Sequence, residues 1–200
     1  CPSANYEVYG FKKLDHGIQV YSNKILIQSD CTTLLPEYMR FIHGVVDSSD
    51  IPLNISRETF QDNRIIHKIK SILVKQILSL LQDMAKNERE KYETLWRQFG
   101  RILKEGMHFD SENRETLAQL MRFNSSMCQN FDGLISLREY ADRMRPEQKE
   151  IYYITAVNRE TIEKSPYLEI FRKKDVEVLY LTDPNDEILL AELQEFEKKP

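Results

Sequence analysis

Between residues 151 and 197 the chain changes period three times, and this alternation constrains the fold more than any other feature. Residues 151–155 (IYYIT) and 176–181 (VEVLYL) are short runs rich in β-branched and aromatic side chains. Residues 159–172, broken near Ser165-Pro166, and residues 184–197 carry helical spacing. Strands that alternate with helices predict parallel pairing through right-handed crossovers, hence an α/β fold built as a three-layer unit. An α/β unit invites a nucleotide, but the turn after the first run is AVNRET. The six glycines, Gly10, Gly17, Gly44, Gly100, Gly106 and Gly133, form no phosphate-cradling loop. Close backbone approach to a pyrophosphate needs GxGxxG or GxxxxGK[ST], and neither is present. There is no GxSxG elbow, and the carboxylates are spread too evenly to nominate an acid and base pair. The chain does not read as a self-sufficient enzyme.

Upstream the pattern is more mixed. Residues 1–16 place Tyr6, Val8 and Phe11 among polar neighbours without a period, which predicts an irregular segment. Residues 17–28, GIQVYSNKILIQ, predict two short strands or one bent strand around Ser22 and Asn23. In residues 34–46, Pro36 suits a first helical position, and Tyr38, Met39, Phe41, Ile42, Val45 and Val46 fit a helical face. Ile65, Ile66, Ile69, Ile72, Leu73, Ile77, Leu80, Leu81 and Met84 recur at three and four, predicting a helix of about 22 residues with one apolar stripe. Arg64, Lys68, Lys70 and Lys75 fall on its other faces, where a charged surface is ordinarily just solvated. The charge run KNEREKY (86–92) marks a boundary. Beyond it, Tyr92, Leu95, Trp96, Phe99, Ile102 and Leu103 predict a helix capped at Gly106, with Trp96 either packed or open to unfolded proteins. Residues 111–123 predict a further helix, residues 124–135 a loop, and Ser136 with Glu139 a capping box for a helix to Met144. The expected layout is a larger α/β subdomain over residues 1–86, a helical connector over 87–123 and a smaller α/β subdomain over 124–200.

The stretch DSSDIPLNISRETFQDNRII (47–66) holds the candidate site. Pro52 keeps Ile51 extended, so Arg57 falls on a loop, with Ser56 able to cap one turn and Asp62 or Asn63 able to cap the long helix. Such a loop presents an arginine to something anionic, or the arginine pairs with Glu58 or Asp62.

Bulk properties exclude several classes. At 200 residues and 41% hydrophobic content, the chain can bury roughly 70% of its unfolded surface. A net charge of -4 argues against non-specific nucleic-acid binding, which needs a basic face. Cys1, Cys31 and Cys128 form no CxxC, and His16, His43, His67 and His108 no HxxxH, so no disulfide framework or structural metal is expected. No apolar run approaches 18 residues and the start is not signal-like, so no membrane span or export is expected. Opening on Cys1-Pro2 without a methionine, the chain reads as a piece of a longer protein.

The loop DSSDIPLNISRE, with Gln61 four residues after Arg57, resembles the catalytic loop in the middle domain of the 90-kDa heat-shock protein chaperones. LLPEYMRFIHGVVDSSD, KYETLWRQFGRILKEG, SLREYADRMRPEQKEIYYIT, SPYLEIFRKKDVEVLYLTD and LQEFEKK are similar to the family's segments, in its order, from about residue 17 to the end. One departure is Asn23-Lys24, where the family carries two basic residues.

The resemblance implies a middle domain lacking its first strands. Its expected partners are the parent's own N-terminal ATPase domain, its C-terminal dimerisation domain and client proteins. It implies ATP with Mg as the parent's cofactor, not held tightly by this piece alone. Arg57 would then reach the γ-phosphate when the clamp closes, and Gln61 would help to hold the closed form. The rival expectation is a non-catalytic interaction scaffold in which Arg57 pairs locally. YSNKILIQ and NRETIEKSPY resemble the mitochondrial branch and WRQFGRILKEG the bacterial one, so bacterial cytoplasm is expected first and mitochondrial matrix second.

Overall fold

Six short strands in two sheets and seven α-helices make up the secondary structure of the described residues. The computed structural model describes residues 17–52, 63–128 and 130–200. The irregular segment expected over residues 1–16 lies outside them. The chain divides into two compact units, Cys1–Ile102 and Leu103–Pro200.

In the first unit, β1 (Gly17–Ser22) buries Ile18, Val20 and Ser22 on one face and leaves Gln19 exposed, the period-two pattern of a strand packed on one side. It pairs antiparallel with β2 (Ile25–Gln28) and parallel with β3 (His43–Asp47), so the sheet order is β2-β1-β3. The two-residue turn between β1 and β2 holds Asn23 at φ 48° and Lys24 at φ 65°. Positive φ at both positions gives a hairpin turn whose twist matches the strands, and asparagine tolerates it well. The Asp47 carboxylate accepts the Lys24 backbone N–H at 3.2 Å, which ties this turn to the end of β3.

The helix expected over residues 34–46 is not formed. Only a 3₁₀ turn, Glu37–Met39, occurs there, and His43–Asp47 is a strand. Tyr38, Met39 and Phe41 are buried, but Val45 and Val46 are β-branched and follow Gly44, and pairing with β1 outweighs a helical spacing that both conformations satisfy.

Helix α1 (Arg64–Asn87) starts at Asn63, whose side chain accepts the Ile65 N–H at 2.8 Å, as one of the two expected caps. Its buried residues are Ile66, Val74, Leu78 and Leu81. Ile72 and Leu80, expected on the apolar stripe, are instead 47% and 60% exposed. The segment carries isoleucine or leucine on almost every side, so the phase of the stripe is set by packing.

Helix α2 (Arg89–Phe109) begins inside the charge run and continues past Gly106, whose carbonyl accepts the Asp110 N–H, so Gly106 is not a cap. Trp96 is buried, which favours its packing role. A Cβ on Gly100 would meet the Trp96 ring at 2.7 Å, and this close approach explains a glycine inside a helix, where it otherwise costs about 1 kcal/mol. Phe99 stacks on Phe41 with ring centroids 4.7 Å apart.

In the second unit, α3 (Arg114–Leu120) is shorter than expected and follows a 3₁₀ turn, Ser111–Asn113. The expected loop contains a strand, β4 (Asn124–Ser125), and helix α4 (Leu137–Arg143) carries the expected Ser136–Glu139 capping box. Strand β5 (Tyr153–Thr155) leads into α5 (Arg159–Glu163) and α6 (Pro166–Lys173), then β6 (Leu179–Leu181) and α7 (Asn185–Leu193). The β5 and β6 strands are parallel, as the alternation predicts, and β4 adds an antiparallel neighbour to give the order β4-β6-β5. Tyr180 packs with Ile162, Leu168 and Val178. Leu179 and Leu181 line an apolar cleft with Leu189 of α7, so β6 is covered on both faces.

Lys104 of α2 is buried and donates to Asp186 of α7 at 2.6 Å, with Asp183 at 3.5 Å. Burial pushes the Asp186 carboxyl above its ordinary range, and the Lys104 charge only partly opposes this. Because the folded carboxyl holds its proton more tightly than the unfolded one, this group's contribution to stability rises as pH falls from the folded value toward the unfolded one. A carboxyl NMR titration should place the Asp186 midpoint above about 4, the ordinary aspartate value. A midpoint below it would mean that the lysine outweighs desolvation.

Candidate functional site

The two residues nominated from the sequence, Arg57 and Gln61, lie outside the described residues, as do Ser56, Glu58 and Asp62. The structure describes both borders of that segment.

On the entry side, the Ser48 N–H donates to the Tyr21 carbonyl at 3.1 Å, extending the line of β3 beside β1. Asp50 N–H donates to the Ser48 hydroxyl at 3.3 Å and Ile51 N–H to the Ser48 carbonyl, forming a turn. Ile51 is 1% exposed. Its carbonyl accepts the Ser22 hydroxyl at 2.6 Å in a buried setting. This contact crosses 29 positions of sequence and pins the chain just before Pro52 to the central strand of the sheet. On the exit side, the Asn63 cap and the buried Ile66 fix the first turn of α1. Sequence reasoning found the cap but missed Ser22. A polar residue in phase with Ile18 and Val20 on an alternating strand was the available signal.

A second polar cluster lies in the other unit. The Glu177 carboxylate is 5% exposed and accepts the Ser125 hydroxyl at 2.5 Å and both Nε and a terminal nitrogen of Arg143 at 2.9 Å. That hydrogen bonding raises the Arg143 guanidinium above its ordinary value. Tyr140 donates to the Glu177 carbonyl at 2.8 Å and accepts the Tyr152 N–H at 3.0 Å. Burial raises its phenol above the ordinary range, so it stays protonated. These hydrogen bonds tie α4 to the chain on either side of β6 and order the unit internally.

The apolar cleft encloses about 210 Å³ and is lined by Phe123, Ile151, Tyr153, Leu181, Leu190 and Phe196, among others, with little polar surface. Among the described residues, no group of three His, Cys, Asp or Glu side chains could hold a metal ion. No helix of the described residues is long and apolar enough to cross a membrane.

Replacing Ser22 by alanine leaves the Ile51 carbonyl buried without its donor, at a cost of about 1–3 kcal/mol. Urea unfolding should show that loss, and hydrogen exchange at Ile51 should accelerate. Unchanged exchange would show that the turn at Ser48 alone holds this border.

The family model described as Hsp90 protein matches residues 1–200. A protein named Chaperone protein HtpG from Coxiella burnetii is 50% identical over 183 residues, covering 92% of this chain and 29% of the relative. HtpG of Nitrosococcus oceani is also 50% identical over 183 residues, with the same shares. HtpG of Desulfotalea psychrophila is 42% identical over 198 residues, 99% of this chain and 32% of the relative. The chain therefore spans less than a third of the length of these relatives, and it belongs to the Hsp90 protein family.

Proposed function

We propose that this chain is the middle domain of an ATP-dependent chaperone. In this reading it supplies Arg57 to the γ-phosphate of ATP held, with Mg, by a separate N-terminal domain, and Gln61 helps to hold the closed arrangement. Residues 1–86, with the loop 47–63, form part of a larger subdomain, residues 87–123 connect, and residues 124–200 form the smaller one. A C-terminal dimerisation domain completes the parent. The bacterial relatives favour the bacterial cytoplasm over the mitochondrial matrix as its setting.

One observation carries the reading. Residues 53–62 run between two anchored borders, the Ser22–Ile51 bond and the Asn63 cap, in a chain of this family. Positioning is what phosphoryl transfer chiefly asks of a protein, and the described borders are the fixed points from which Arg57 would be positioned. The guanidinium offers a fixed, always-charged fork to charge spread over phosphoryl oxygens, where lysine offers a point charge. Arginine fingers contribute about 10³–10⁵ in rate, equivalent to roughly 4–7 kcal/mol, against about 0–1 for an exposed ion pair. Since the nucleotide sits elsewhere, hydrolysis waits on a domain movement. Exposed Val157, Tyr167 and Ile170 in the second unit supply apolar surface for client proteins.

Arg57→Ala in the full-length parent should leave ATP affinity within about twofold and reduce turnover by about 10³ or more. Unchanged turnover would take Arg57 out of the mechanism and leave the scaffold reading. Titration calorimetry on the 200-residue chain alone should detect no sub-millimolar ATP binding, and such binding would place a nucleotide site within it.

A further inference from the structure

We draw no further inference here: the strongest candidate, the apolar cleft of the second unit between β6, α7 and the segment 194–200, carries nothing, because nothing in the structure shows what covers it.

Discussion

A hydroxyl on an apolar strand face fastens the chain before Pro52 to the central strand of the first unit. Ser22 is fully buried in phase with Ile18 and Val20, where an unpaired hydroxyl would be penalised by its lost hydration. The Ile51 carbonyl faces a similar penalty, and each offsets the other at 2.6 Å. The bond therefore contributes little net energy compared with what breaking it would cost. That asymmetry makes it an effective fastener, since the chain before Pro52 has no other inexpensive place to put its carbonyl. The adjoining Lys24–Asp47 contact holds the hairpin turn against the end of β3, so β1, the turn and the loop entrance are tied together by hydrogen bonds.

Much of this fold was legible in the sequence, and the errors have two causes. The α/β alternation, the two-part helix at Ser165-Pro166, the Ser136–Glu139 box and the Asn63 cap are local patterns, and they were readable because local geometry decides them. The strand at His43–Asp47 was missed because its conformation is chosen by β1, more than twenty residues earlier. Asn124 and Ser125 look like loop residues, and only the company of β6 makes them a strand. The phase of α1 failed for the opposite reason, because so many of its positions are apolar that the sequence admits several faces. Arg57 and Gln61 were nominated only through resemblance and lie outside the described residues, since a lone arginine after a proline-bearing loop is chemically ambiguous with Glu58 and Asp62 beside it.

The second unit shows what no spacing argument could reach. Glu177 meets Ser125 and Arg143 across 52 and 34 positions, and Arg159 reaches the carbonyls of Cys128, Asn130 and Phe131 while stacking on Phe131 and Tyr180. Replacing such networks by apolar side chains often costs little stability, so their value lies in geometry: each carboxylate and guanidinium accepts few arrangements of its neighbours. Here they fix where the 124–135 segment crosses the sheet. That segment is rich in small and polar residues and has few apolar anchors of its own. Charge and hydrogen bonding do for it what packing does for β6.

Helix α1 gathers its basic residues toward its N-terminal half. A helix of 24 residues extends about 36 Å and concentrates its partial positive charge in the first turn. Arg64 and Lys68 add full charges at that same end, and the segment carrying Arg57 leads directly into it. Gathering cations in this way raises the local potential, which is unfavourable while no anion is near and favourable when one arrives. The arrangement adds little as a stabilising device, because each of these charges repels the next and the helix end repels them all.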